Sequence, residues 1–276
     1  MKSIIPPWLP LCCALWLCHS AAFAQAAKLD LEEQAVARLA GGDEETRLTA
    51  LVELASLFKG QRHAARPATM AALIQTLQKD AVPVLRTHAA RALEFAVAPS
   101  ATDALITALQ SERETTTRKA ILYALARYES APVVAALIPF LRHKEAETRA
   151  TAAYALAELA DTAAASALHE CLVKRRKAED AFTRSEAARA LGRIGYHAAV
   201  PDLRKALLKD AAIDRRAAAE ALGWLALPQD QEVLAALQAA ANDEDPYLRA
   251  AATLALQRIS ERALSKAPKF ITLNYS

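Results

Sequence analysis

The sequence predicts an all-α fold, a right-handed α-α superhelical solenoid of about seven helix pairs. Three observations carry this. First, one phrase recurs: RTHAARAL from Arg86, RKAILYAL from Arg118, RATAAYAL from Arg149, RSEAARAL from Arg184, RRAAAEAL from Arg215 and RAAATLAL from Arg249, with RLTALVEL from Arg47 as a looser copy. Second, these head arginines are separated by 39, 32, 31, 35, 31 and 34 residues, a period that holds two helices and two turns. Third, the chain is 54% hydrophobic, with much of that alanine, yet only 5% aromatic, and it holds six glycines. Such a composition favours helix throughout and rules out a core built on a few large anchors.

The segments between the arginine phrases complete the repeat. TMAALIQTLQ, TDALITALQ, VVAALIPFL, AASALHECLV, VPDLRKALL and EVLAALQAA all space their apolar residues as a helix does. Each repeat is therefore a helix A, a short turn, and a helix B that carries the arginine. Asp43, followed by Glu44 and Glu45, is placed to cap the first B helix, and Gly41-Gly42 to end the A helix before it. Ser100 and Pro132 can open A helices, and Asp245-Pro246 opens the last B helix. Pro139 falls about two turns inside its helix and predicts a kink. One short helix pair cannot bury its apolar face, whereas stacked pairs share a continuous core.

The first segment, MKSIIPPWLPLCCALWLCHSAAFAQ, reads differently. A lysine near the start, an apolar run through Leu17 and the ending Ala22-Phe23-Ala24 predict a secretory signal peptide over residues 1–24, cut after Ala24. The mature chain would begin at Gln25 and be exported, periplasmic or secreted. Pro6, Pro7 and Pro10 interrupt a run already short for a membrane span. Cys18 follows Leu-Trp-Leu, not the small residues a lipoprotein signal wants. Cys12, Cys13 and Cys18 would leave with the signal, so Cys171 remains without an internal disulfide partner. In the amphipathic run LHECLV it reads as a small buried hydrophobe. The solenoid is expected over 25–262 and a tail over 263–276, where KFITLNYS from Lys269 turns strand-like. A net charge of +3 is too small to argue for nucleic acid.

The R-x-x-A-A-x-A-L phrase, with the Leu-Gly that closes it at Leu191-Gly192 and Leu222-Gly223, resembles the HEAT-repeat family. It is closer still to the bacterial subgroup of phycobilisome-lyase-like HEAT repeats, armadillo-type helical solenoids. Asp80, Glu112 and Asp243 match the acid that HEAT repeats place six residues before the arginine; the repeats at Arg149, Arg184 and Arg215 depart from it. The resemblance covers residues 28–262. It implies B helices along a concave face, and it is specific for fold rather than for function.

Numbering each B helix from its arginine as position 0 separates two faces. Positions 3, 4, 6, 7 and 10 are monotonous, with leucine at position 7 in all seven repeats, and form the buried face. The arginines Arg47, Arg86, Arg118, Arg149, Arg184, Arg215 and Arg249 stand at its edge and predict a structural ladder, stems packed and heads paired. Positions 2, 5 and 9 vary and point away. They predict a groove that binds a protein or peptide through Arg91, Phe95, Tyr123, Arg127, Tyr154, Glu158, Arg189, Arg193, Glu220, Trp224 and Arg258. Arg, Tyr and Trp are the types that dominate binding hot spots.

Chemistry is sparse by comparison. The deoxyhypusine hydroxylase relatives implied by the resemblance hold iron on repeated His-Glu pairs, whereas this chain has one, His169-Glu170, too few ligands for such a site. No phosphate loop, CxxC pair or GxSxG elbow is present. The reading is a non-catalytic scaffold with no cofactor, no metal and no nucleic acid. Its alternatives are an enzyme or accessory factor of the lyase/hydroxylase-like HEAT group, including an oxidoreductase, or an envelope-associated structural protein. Lys174, Arg175, Arg176 and Lys177 form a basic A-to-B turn that could meet an anionic surface weakly.

Overall fold

In the computed structural model, residues 29–59, 65–96, 98–174, 180–209 and 211–266 are described. The predicted signal, most of the predicted tail and Arg175, Arg176 and Lys177 lie outside them. The fold is an all-α solenoid, and no strand occurs among the described residues. The A helices are α1 (29–41), α3 (Pro67–Lys79), α5 (Thr102–Ser111), α7 (Ala131–Leu137), α9 (Ala165–Val173), α11 (Val200–Lys209) and α13 (Gln231–Ala240). The B helices are α2 (Glu44–Phe58), α4 (Pro83–Ala96), α6 (Thr115–Leu125), α8 (Ala146–Leu159), α10 (Ala181–Ile194), α12 (Ala212–Leu225) and α14 (Pro246–Lys266). No described helix is long and apolar enough to cross a membrane.

The chain forms two compact units, divided between Ala124 and Leu125. In the first, α2 packs against α4, and α3 against both α4 and α5. Glu32, 1% exposed, accepts a hydrogen bond from the Arg66 amide at 2.8 Å and so ties α1 to the start of α3. In the second unit the B helices pack side by side, α8 on α10, α10 on α12 and α12 on α14, while α9 and α11 back onto α10 and α12. The position-7 leucines Leu54, Leu93, Leu125, Leu156, Leu191 and Leu222 are fully buried. Leu256 is only half-buried, because no described helix follows α14 to cover it.

Local signals explain most boundaries. The Asp43 carboxylate accepts from the Thr46 amide at 2.8 Å and caps α2. Pro132 lies in the first turn of α7, and α14 begins at Pro246. Ser100 sits inside a 3-10 turn, Pro99–Ala101, one turn earlier than the α-helix proper. Pro139 does not kink a continuous helix: α7 ends at Leu137 and the chain continues as a 3-10 turn over Ile138–Arg142. The missing proline N–H breaks the i→i−4 ladder, and the tighter winding re-satisfies its neighbours. The last helix runs to Lys266, past the expected boundary at 262.

Position 11 of the B helix tests one backbone argument. There α10 ends on Gly195 in the left-handed region, φ 80°, and α8 ends on Ala160, φ 50°. Glycine takes this conformation without the steric cost an alanine bears. Ala160→Gly is expected to raise stability, and Gly195→Ala to lower it, each by about 1 kcal/mol. Thermal melts of the two variants check the signs.

Candidate functional site

The ladder arginines reach in two directions. The first is back to the carbonyls at the preceding A-to-B turn. Arg86 donates to the Asp80 and Ala81 carbonyls at 3.0 and 3.3 Å, Arg118 to those of Glu112 and Arg113 at 2.9 Å each, Arg149 to those of His143 and Lys144 at 2.8 Å each, and Arg249 to those of Asp243 and Glu244 at 2.8 and 2.9 Å. The second direction is forward, to a carboxylate of the next repeat. Arg47 meets Asp80, Arg86 grips Glu112 with two bonds of 2.8 and 2.9 Å, and Arg215 meets Asp243 at 2.6 Å. The acid six residues before an arginine thus serves the arginine of the repeat before it. Where that acid is lacking, Asp180 and Asp214 from the start of the B helices take its place, pairing with Arg149 and Arg184.

Two of the ladder acids, Glu112 and Asp243, have carboxyls held below the usual range. Burial alone would push the Glu112 carboxyl up, but the Arg86 guanidinium and the Glu114 and Arg113 amides outweigh it and hold it below the usual range. The Asp243 carboxyl is held down by the Asp245 amide and then by Arg215, and that of Asp245 by Arg216. A depressed folded pKa contributes stability above the unfolded value and loses it as pH falls. These carboxylates should therefore make the melting temperature fall below about pH 4.3, and Glu112→Gln should flatten part of that fall. A melt series in pH checks it.

The groove stripe of the second unit runs across α8, α10, α12 and α14. Its aromatic and aliphatic members are open to solvent: Tyr154 is 37% exposed, Trp224 50% and Leu254 43%. Its charged members are brought together in pairs. Arg193 meets Glu158 at 2.5 Å, and Arg189 bridges Glu220 at 2.8 Å and Glu186 at 2.6 Å. The Arg258 guanidinium lies over the Trp224 ring, 4.2 Å from its centroid. Arg189 and Arg193 are thus held by carboxylates and Arg258 by the Trp224 ring, so stacking surface rather than open charge lines the stripe from α8 to α14. Arg262 donates to the Gly223 and Ala226 carbonyls at 3.0 and 2.8 Å and fixes the backbone on either side of Trp224.

In the first unit, Arg91 and Tyr123 are exposed, and Phe95 is half-buried with Lys59 over its ring at 5.9 Å. Burial and then the Arg91 charge push the His88 imidazole below its usual pKa. Arg127, which belongs to the second unit, is exposed just beyond α6. Position 2 is a correction: Ala120, Thr151 and Ala217 there are 6%, 4% and 0% exposed, not groove-facing. Within the second unit α12 has B neighbours on both flanks, α10 and α14. Gly192 of α10 faces Ala221 at position 6, so Ala217 at position 2, beside position 6, is covered by α10.

His169 and Glu170 diverge. His169 Nε2 lies 2.9 Å from the Asp202 carboxylate, and its ring meets Tyr196 edge-on at 5.6 Å. Glu170 binds Arg142 at 2.5 Å and also Lys174. Among the described residues no group of three or more His, Cys, Asp or Glu is placed to hold a metal ion. Cys171 is half-buried on a cavity wall rather than sealed in the core.

Residues 134–223 match the family described as HEAT repeats. Among solved structures, an engineered protein is similar at 23% identity and a TM-score of 0.57, covering 83% of this chain and 68% of that one. Human deoxyhypusine hydroxylase is similar at 23% identity over 86% of this chain and 98% of that one, with a TM-score of 0.37. The complex of CpcE and CpcF of phycocyanin lyase from Nostoc sp. PCC7120 is similar at 20% identity over 86% of this chain and 89% of that one, with a TM-score of 0.46. At these identities the likeness is one of fold, and the last two superpose too loosely to bear on activity. No curated protein matches.

Proposed function

We propose that this HEAT-repeat chain is an exported, non-catalytic scaffold that holds a protein or peptide segment on its B-helix stripe. The observation that carries the reading is Trp224. It is half exposed on a helix face whose charges are already satisfied, with its ring clamped by Arg258 and its backbone by Arg262. A large amphipathic ring held in place at the surface, beside exposed Tyr154 and Leu254, is the composition of a binding hot spot. Helix pairs that present a repeated surface suit an extended partner. Because Arg189, Arg193 and Arg258 are already engaged, affinity should rest on stacking and vary little with salt.

Two experiments test this. Replacing Tyr123, Tyr154 and Trp224 together by alanine should leave helicity unchanged and abolish capture of a partner from native envelope extract; capture that survives removes the groove reading. Export rests on the pattern of residues 1–24, and the mass of the native protein should correspond to a chain beginning at Gln25. A mass that retains those residues removes that part.

A further inference from the structure

The regular helix pairing is interrupted in the second unit by the 3-10 turn that Pro139 forces over Ile138–Arg142. Between this turn, α9 and the start of α10 lies a cavity of about 310 Å³. Ile138, Pro139, Leu141, Ala167 and Cys171 supply apolar wall, and Thr183 lines it from the first turn of α10. The volume lies at the lower end of the range for small-molecule sites.

Thr183 distinguishes this space from a packing defect. It is 4% exposed, yet its hydroxyl has no hydrogen-bond partner. The threonines in the same register, one residue before the head arginine, are satisfied. The Thr117 hydroxyl bonds that of Thr87 at 2.9 Å, and the Thr148 hydroxyl donates to Glu145 at 3.0 Å. A buried hydroxyl left without a partner is disfavoured, and this one stands at a cavity wall, where a group filling the space can satisfy it.

The mouth carries a charge imbalance. Arg142 and Lys174 share one carboxylate, Glu170, whose pKa the Lys174 ammonium and then Arg142 lower to about 2. Two cations and one anion leave one positive charge in excess among these three residues. The ion pairs of Arg149 with Asp180 and of Arg184 with Asp214 bordering the cavity are each balanced.

We propose that this cavity binds a small amphipathic monoanion, a medium-chain alkyl carboxylate, with its chain against the Pro139–Ala167 walls and its head beside Arg142 and Lys174. The reading is independent of the groove. Head and chain leave one carboxylate oxygen available to the cationic pair and the other to a hydrogen-bond donor at the wall, the role open to the Thr183 hydroxyl.

The test uses the full-length protein and decanoate, with decanol and decylammonium as neutral and cationic counterparts. Titration calorimetry should show one site per chain for decanoate, with decanol a few-fold weaker and decylammonium silent, since an ion pair at exposed Arg142 and Lys174 is worth up to about a fivefold factor. Bound decanoate should slow alkylation of Cys171, read at the peptide level, because the thiol lies on the same wall. Ala167→Phe should fill the space and abolish binding while the circular dichroism spectrum stays helical, and Thr183→Val should weaken it severalfold. The proposal is overturned by absence of decanoate binding, by binding that Ala167→Phe leaves intact, or by equal affinity for all three probes.

Discussion

Replacing Arg149 with alanine is expected to lower stability by about 3–5 kcal/mol, among the largest effects of any single substitution in the chain. Both partners of the Arg149–Asp180 pair have side chains only 6% exposed. The guanidinium also satisfies the His143 and Lys144 carbonyls at 2.8 Å each. Truncation therefore leaves a buried carboxylate without its counter-charge and two carbonyls without a donor, and those losses, rather than the Coulombic gain of the pair, set the magnitude. A direct corollary follows. Arg149→Met combined with Asp180→Leu removes both charges and should recover much of the loss. Arg249→Ala, at an exposed arginine with no described repeat after it, should cost less than about 1 kcal/mol. Urea midpoints at unchanged m-value read all three. A single Arg149→Ala variant as stable as the double would contradict the ladder.

Gly192→Ala and Gly223→Ala should each destabilise by about 1–3 kcal/mol although alanine is the better helix former by about 1 kcal/mol. A Cβ on Gly192 would stand 2.8 Å from Ala221 Cα, and one on Gly223 would stand 2.8 Å from Ala255 Cα. These are backbone atoms, so no rotamer change relieves the clash and α10, α12 or α14 must separate. The Leu-Gly that closes these two arginine phrases is thus the place where consecutive B helices touch backbone to backbone, and it sets the spacing of the stripe. Gly41→Ala is the control: nothing lies within 4 Å of the added carbon, and the variant should be neutral or slightly more stable. Equal losses at positions 41 and 192 would sink the close-contact explanation.

The period, the helix pairing and the leucine face were legible because they depend on spacing along one helix. Position 7 shows this, as does the edge position of the head arginines. What escaped depends on neighbours. The burial of Ala217 between α10 and α14 cannot be read from a helical wheel that treats one flank as solvent. Asp180 and Asp214 were missed as ladder acids because they stand at offsets of four and one from the next arginine instead of six. The usable signal was an acid about one period downstream of each arginine, since the observed separations are 33, 26, 31, 30 and 28 residues. In the stripe, residue types pointed to arginines open to a partner, whereas Arg189 and Arg193 are engaged with Glu220, Glu186 and Glu158. That shifts the recognition chemistry from charge to stacking. Cys171 follows the same logic: its own helix reads as amphipathic, but the space beside it comes from Pro139 in the preceding repeat.

The most direct test of the scaffold account is site-specific photo-crosslinking in native extract. A photoreactive phenylalanine analogue is placed at Tyr154, at Trp224 and, as a control, at Leu208, which is 55% exposed on the A helix α11. The account predicts a protease-sensitive adduct of one size from positions 154 and 224 and none from position 208. Adducts from 208 alone, or from all three positions alike, would contradict it.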